Sequence, residues 1–419
     1  MKRSIKLIFI SLLLISNSIF AAGFYISEIG TPGSLGTAGV ANPVNNFGAD
    51  SSWTNPAGMT GLDKSQFMSG MQMIAPQIKF KSSFAGKGGG NGGNAGNIAM
   101  IPSTFYVKKV SEKLRLGFSI TAPLGGGLDY NDDFGTSTDD FVGRYGATKA
   151  LLAGIFISPS FGYKVNDKLS IGSGVSIIWT RFDMDIAINR GPLLPDGKVE
   201  LDDVTGFGYQ LFFGLQYKPT DRMLLGLVYR GKADTDLKGD VLWRNLAVTP
   251  QINTVKVAWD NPQTFEGGLR FNLSDDKMIA VNAGWEDWSK FSNNQISFGG
   301  GVLNPLVTLD RKFKDTWHAG IAYGQDFDKN KRITFGFSYD SSPVSDANRT
   351  IDLPFDETFK FSTSYSVKGV GNFDYAFGAT LFVFGDGKVD QTAQGVRFVG
   401  EFDSNHMLMI GATIRPKSK

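Results

Sequence analysis

The chain has no cysteine and only two histidines, His318 and His406. The first absence removes disulfides, thiolate catalysis and cysteine-based metal sites. The second excludes a histidine-rich metal centre. Charge of one sign is also lacking: 42 basic against 40 acidic side chains leave a formal +2, which gives no support for nucleic-acid binding. Beyond the N-terminus no stretch is long and apolar enough for a transmembrane helix. An exported chain without spanning helices is still able to lie within a membrane as a closed β-barrel.

Glycine and phenylalanine are plentiful, at 52 and 34 residues. Glycine and aromatics in short, evenly spaced strands fit a barrel better than a helical protein. A length of 419 residues suits two or three soluble domains or one large barrel. The chain opens as an export signal, with Lys2, Arg3 and Lys6 basic, Leu7–Ile15 apolar, and small residues at Ala21 and Ala22. Residues 1–21 are taken as this signal, with cleavage after Ala21 or Ala22. Its apolar core is shorter than the ~20 residues a helix needs to span.

Period-2 alternation carries the fold prediction. Leu114, Leu116, Phe118, Ile120 and Ala122 alternate with Lys113, Arg115, Gly117, Ser119 and Thr121. The same pattern recurs at Leu169–Trp179, Tyr209–Tyr217, Met223–Tyr229, Ile333–Tyr339, Phe373–Val383 and Leu408–Ile414. Period 2 puts each set on one face of a strand. Apolar faces edged by Trp or Tyr, opposite small wettable faces, fit lipid outside and lumen inside. A soluble sandwich also alternates, but about a dozen such strands would need Greek-key irregularity.

The connections point the same way. Short polar turns at 110–113, 165–168, 219–222, 274–277, 326–331 and 368–372 alternate with long ones at 82–97, 126–147, 188–203, 236–254, 287–312, 341–357 and 385–405. Short turns at one end and long loops at the other describe an outer-membrane barrel. The expected fold class is all-β: a transmembrane antiparallel β-barrel of about fourteen strands over residues 64–419. Both ends then lie on the periplasmic side.

Residues 22–63 break the pattern. Gly23–Leu62 has no sustained period of 2 or 3.6, yet Tyr25, Ile26, Ile29, Leu35, Val40, Phe47, Trp53 and Met59 need burial. This stretch is expected to be an N-terminal hatch plugging the lumen.

Short motifs run along the chain: Ala22-Gly23-Phe24, Asn55-Pro56-Ala57, Ile101-Pro102-Ser103 with Tyr106, Ala122-Pro123-Leu124-Gly125 and Val142-Gly143-Arg144-Tyr145. Further along come Tyr229-Arg230 with Gly239-Asp240, Trp285-Glu286-Asp287-Trp288-Ser289-Lys290-Phe291, Asp340-Ser341-Ser342-Pro343-Val344, Asn348-Arg349 and Leu353-Pro354. In order and spacing these motifs resemble the FadL/TodX family of outer-membrane transporters for long-chain fatty acids and other hydrophobic molecules. The resemblance covers nearly the whole mature chain. One departure is the end, Ile414-Arg415-Pro416-Lys417-Ser418-Lys419, where such barrels usually carry an aromatic residue that helps assembly.

The resemblance implies a fourteen-stranded plugged barrel in the outer membrane of a Gram-negative bacterium. It implies basic residues near the ligand carboxylate at positions matching Arg181 and Lys314; either is equally readable as a solvated charge at a strand end. It implies an N-terminus that rearranges with ligand, with Phe24, Tyr25 and Ile26 competing for the pocket. It implies sideways release at a kink in the third strand, here at Pro123 and Gly125, since proline cannot donate to a ladder and glycine marks bulges. A simple strand end reads the same.

Asn55-Pro56-Ala57 is a turn signal, and more sharply a latch in which the Asn amide holds the hatch to the wall. The apolar residues Val241, Leu242, Trp243, Leu246, Val248 and Val257 sit in what reads as an exposed loop, and Leu193 and Leu194 in another. An exposed apolar patch usually marks a binding surface, so the two loops are expected to form an outer capture groove or to pack together and stiffen the mouth. His318 falls on the lumen face and is expected to make a hydrogen bond there. A Ser-His-acid enzyme lacks a recognisable motif, and no catalytic residue, cofactor or metal is expected. The expected partners are a long-chain fatty acid or hydrophobic small molecule, and outer-membrane lipid and lipopolysaccharide around a monomer. Alternatives are an importer of monoaromatics or alkanes and, further off, an adhesin.

Overall fold

A computed structural model describes residues 25–132, 140–246, 252–291, 293–299 and 306–417. The export signal, Phe24 and Val248 lie outside the described residues. Strands, in chain order, are β1 Gln66–Ala85, β2 Ala99–Lys109, β3 Leu114–Asp129, β4 Lys149–Lys164, β5 Leu169–Ile188, β6 Gly197–Thr220, β7 Met223–Arg230, β8 Ala233–Arg244, β9 Thr254–Asn261 and β10 Thr264–Asn272. They continue with β11 Lys277–Glu286, β12 Asn293–Gly299, β13 Leu306–Asp310, β14 Thr316–Asp328, β15 Lys331–Asp340, β16 Thr358–Val370, β17 Phe373–Phe384, β18 Val389–Ala393 and β19 Val396–Pro416.

Five courses of the wall are interrupted. β7 and β8 both run against β6, along Phe212–Thr220 and Lys198–Thr205 respectively. β10 and β9 oppose them in turn. β11 with β12, and β14 with β13, carry the break onward. β17 and β18 share β19 as partner. Each such pair is one course, so the wall has fourteen antiparallel courses, and β1 closes it against β19. The turns at 110–113, 165–168, 221–222, 273–276, 329–330 and 371–372 share one end with the start of β1 and the close of β19.

The outer face is apolar for the reason the alternation predicts. Phe118, Ile171, Leu211, Phe335, Phe377 and Leu408 are all exposed, while their chain neighbours turn inward. In lipid every backbone polar group needs an internal partner, and closure supplies one by leaving no edge.

Tyr25–Leu62 lies inside this wall as short turns: Leu35–Thr37, Asn42–Val44, a helical turn Ser51–Thr54, and Pro56–Gly61. It has no ladder of its own, so its buried carbonyls need partners from elsewhere. Inward side chains of the wall supply them. Thr334 donates to Gly36 O at 2.8 Å, Thr380 to Leu35 O at 2.7 Å, Ser160 to Ser52 O at 3.1 Å and Gln216 to Pro43 O at 3.1 Å. Arg115 Nε donates to Leu62 O at 3.0 Å, and Arg230 to Trp53 O.

The inward glycines give the segment room. A Cβ on Gly214 would stand 2.1 Å from Asn55 Oδ1, on Gly226 1.9 Å from Pro43 O, on Gly172 2.5 Å from the Pro56 carbonyl carbon, and on Gly336 2.3 Å from that of Thr37. Glycine on the lumen face is thus a floor for another backbone.

One expectation is corrected. Asp240–Ala258 is not an exposed apolar loop throughout. Val241 and Val257 lie in β8 and β9 and are buried, because the wall continues beyond the barrel rim there and gives them an inner face.

Candidate functional site

A cavity of about 920 Å³, its open mouth included, lies between Tyr25–Ser27 and the wall strands β11, β14–β17 and β19. Its apolar lining is Ile26, Phe313, Phe355, Phe382, Phe384 and Met407. That lining suits a hydrophobic ligand. Charged side chains share that lining, among them Glu286, Asp340, Asp356 and Lys360.

Lys360 is the cavity's only lining lysine or arginine among the described residues. It sits on β16 between the outward Phe359 and Phe361, so the same alternation that sends the rings to lipid sends the ammonium inward. Its side chain is only 8% exposed, with Nζ 2.6 Å from Asp340 Oδ2 and 3.2 Å from Glu28 Oε1. It also lies 5.5 Å from the centre of the Phe382 ring. Asp340 belongs to the neighbouring strand, whereas Glu28 is fully buried in the N-terminal segment. His318 lines the cavity too, its Nε2 3.7 Å from Glu266 Oε1, and that oxygen accepts a hydrogen bond from Asn282 Nδ2 at 2.8 Å. Glu286 accepts from Trp288 Nε1. Asp356 is paired with Arg349 at 3.0 Å.

The wall changes beside the N-terminal segment. β2 pairs with β3 only from Thr104 opposite Ile120 to Lys109 opposite Arg115. Beyond that, β2 stays with β1, and β3 stays with β4 after a register shift between Thr121 and Leu124. Pro123 sits in that shift, and Gly125 resumes pairing opposite Ala153. Ile26 N donates to Pro123 O at 2.7 Å, and Tyr25 bridges Leu124. Tyr25–Ile26 therefore stands where the β2–β3 ladder stops.

Asn55, Pro56 and Ala57 meet the opposite wall. Asn55 Nδ2 donates to Pro43 O at 2.6 Å and to Leu215 O of β6 at 3.2 Å, while its Oδ1 accepts from Ala57 N at 3.1 Å.

The outer residues are brought together in part. Val199 pairs with Trp243, Arg190 donates to Asn245 O at 2.6 Å, and a Cβ on Gly197 would touch Leu246. Leu193, Leu194 and Leu242 are exposed above this junction, Leu193 at 91%, while Trp243 is half-buried and donates to Ile252 O.

Neither basic residue implied by the resemblance lines the cavity. Arg181 is held by Asp183, Asp202 and Asp203 at 2.8, 3.4 and 2.8 Å. Those three carboxylates are the one group among the described residues close enough for a shared metal ion, and the guanidinium already occupies it. Lys314 is exposed, though its neighbour Phe313 lines the cavity. Sequence reasoning passed over Glu28 and Lys360, and took Asp340 only as part of a family motif. A lysine on the otherwise Thr/Ser lumen face of Thr358–Ser364 was the available signal.

A closed even-numbered barrel, greasy outside, polar inside and filled by its own N-terminal segment, defines an outer-membrane transport barrel. The sequence profile described as outer membrane protein transport protein (OMPP1/FadL/TodX) matches residues 12–414, and the chain belongs to that family. It is 25% identical over 386 residues to a long-chain fatty acid transport protein of Escherichia coli O6:H1, covering 82% of this chain and 83% of that one. It is 23% identical to outer membrane protein P1 of Haemophilus influenzae, covering 85% and 86%. A Pseudomonas aeruginosa FadL homologue superposes with a TM-score of 0.85 at 19% identity, over 94% of this chain and 99% of that one. The Pseudomonas putida toluene transporter TodX does so at 0.73 and 16%, over 96% and 99%. The members of this family are transport channels of the outer membrane, and the chain is an outer-membrane protein.

Proposed function

We propose that the chain takes up long-chain fatty acids or related hydrophobic molecules. The observation that carries this is the lumen cavity, with an apolar wall for a tail and Lys360 for a head group. The relatives' named cargoes, long-chain fatty acids and toluene, agree with that chemistry. In this reading Leu193, Leu194, Leu242, Trp243 and Leu246 capture ligand outside. The cavity receives it, the hatch of residues 22–63 shifts, and ligand leaves sideways beside Pro123 and Gly125, where the β2–β3 ladder is interrupted. Asn55-Pro56-Ala57 keeps the rest of the hatch seated. Lys360, rather than Arg181 or Lys314, meets the carboxylate.

Residues 1–21 act as the export signal. The barrel works as a monomer among outer-membrane lipid and lipopolysaccharide, with no catalytic step and no cofactor. A second reading, import of neutral hydrocarbons, is favoured by the carboxylates Glu286, Asp340 and Asp356 at the cavity. Uptake of labelled oleate and toluene by cells with and without the protein tests both. Oleate uptake supports the first reading, toluene uptake alone the second, and neither would overturn transport.

A further inference from the structure

Lys360 has two carboxylate partners of different kinds. Asp340 reaches it from the adjacent barrel strand, where backbone pairing of β15 with β16 holds the two together. Glu28 reaches it from the N-terminal segment, two residues from Ile26, whose N–H is bonded to Pro123 O. Among the described residues Glu28 makes no other ion pair, and neither of its oxygens has a well-aligned hydrogen bond. It is a fully buried carboxylate that depends on one ammonium.

We propose that Glu28 is an internal competitor for the substrate's carboxylate, and that its eviction from Lys360 links the binding of anions to movement of the hatch. The proposal rests on the transport reading above. Its physical basis is charge. With Glu28 in place, Lys360 already faces two carboxylates, and Glu286 and Asp356 line the same cavity. A fatty-acid carboxylate arriving there adds a further buried negative charge, which is costly when unpaired. If Glu28 leaves as the ligand arrives, one carboxylate replaces another and the charge around Lys360 is unchanged. Asp340 cannot make this exchange without disturbing the wall, whereas Glu28 moves with the segment that carries it.

Moving Glu28 pulls on Tyr25–Ile26, which stands at the end of the β2–β3 ladder. An anion therefore displaces the stretch covering the gap in the wall. An uncharged ligand of the same shape has no reason to evict Glu28; it packs on the apolar lining and leaves the hatch seated. A ligand shifts a conformational equilibrium only by its differential affinity for the two states, and here the carboxylate supplies that difference.

The test compares oleate with oleyl alcohol, which shares its tail and lacks the charge. Equilibrium binding to the full mature chain in detergent is measured for wild type and Glu28→Gln, alongside protease cleavage of the N-terminal segment. The expected result is that Glu28→Gln tightens oleate binding about tenfold and leaves oleyl alcohol within about twofold. In wild type, oleate exposes the segment to protease and oleyl alcohol does not. Unchanged or weakened oleate binding in Glu28→Gln, equal tightening of both ligands, or equal exposure of the segment by both would overturn the proposal while leaving transport standing. Failure of wild type to bind either ligand overturns both. Should Glu28→Gln not fold, the wild-type protease comparison decides.

Discussion

The two sides of the barrel treat the N-terminal segment differently. On the β5–β6 side the ladder runs from Leu169 opposite Tyr217 to Ile188 opposite Gly197, with one register shift near Phe182. Here the segment lies on glycines, and the Asn55 amide bonds a wall carbonyl. On the β2–β3 side the ladder stops at Thr104 and Ile120, and Tyr25–Ile26 stands at the break. One side is an anchorage with a continuous wall behind it, and the other a stopper in front of an interrupted one. Local stability is never uniform across a fold, and moving parts come from its weakly held end. By that criterion the stretch near Tyr25 is expected to move during transport and the stretch near Asn55 to act as the pivot.

The largest effect comes from spoiling the anchorage. Gly214→Leu puts a branched side chain where even a Cβ would stand 2.1 Å from Asn55 Oδ1 and 2.8 Å from Pro56 Cδ. Overpacking of this kind costs about 1–3 kcal/mol or more. The segment is expected to leave the wall and the barrel to conduct ions in planar bilayers, while Leu215→Ala, on the outer face, stays closed. A Gly214→Leu barrel as tight as wild type would remove the anchorage from the comparison.

Next is the stopper. The absence of native cysteine allows a clean crosslink between Tyr25→Cys and Leu124→Cys, which face one another in an antiparallel bridge. Directly opposed residues have Cβ atoms about 4.5–5.5 Å apart, which small adjustments bring within disulfide reach. Oxidation is expected to lower oleate uptake about tenfold and reductant to restore it. Uptake unaffected by a formed crosslink would mean that this end does not move during transport.

A smaller loss follows from Asn55→Ala. It leaves Pro43 O to Gln216 alone, takes the side-chain amide from Leu215 O and removes the cap on Ala57 N. Each such hydrogen bond contributes about 0.5–1.5 kcal/mol net. The expected readout is a faster proteolytic cut in the N-terminal segment with the barrel itself unchanged in thermal unfolding.

Much of this comparison was legible in the sequence, and unevenly. Phe335 and Phe337 against Thr334 and Gly336 announced lipid and lumen faces, because period 2 is a property of the backbone. Asn55-Pro56 was readable as a turn signal, whereas Pro123 was singled out by the family resemblance, since a proline there reads equally as a strand end. The interrupted courses were not legible: the breaks at Gly231–Lys232 and Pro262–Gln263 look like ordinary strand ends until register is known. Nor was the site chemistry. Arg181 and Lys360 are both basic residues on β-strands, and only the fold reveals that one is spent on three aspartates and the other faces the cavity. Long-range ion pairs leave no local pattern.

The smallest effect concerns the outer rim, which belongs to neither side and should be indifferent to the hatch. Three loops meet at the buried Asp196: Arg144 Nε donates to it at 2.8 Å, Tyr145 OH at 2.8 and 2.9 Å, and Lys87 Nζ at 3.0 Å. Burial pushes this carboxyl up, but the hydrogen bonds from Arg144, Tyr145 and Lys87 outweigh it and hold the group below its ordinary range. A carboxyl depressed by folding contributes stability that is present above its unfolded value, about 3.9, and lost as pH falls through the folded value. Protease cleavage of the rim loops is therefore expected to stay level from pH 8 to pH 5 (both round figures, about one unit or more above that unfolded value) and to rise only in stronger acid. In Asp196→Asn the carboxylate is absent at every pH, so its rim is expected to be cut at neutral pH as readily as wild type is in acid. Because Asp196 touches neither Asn55 nor Tyr25, oleate uptake at neutral pH should fall much less in this variant than in the oxidised crosslink. An equal fall would tie the rim to the hatch and end the division of the molecule into anchorage and stopper.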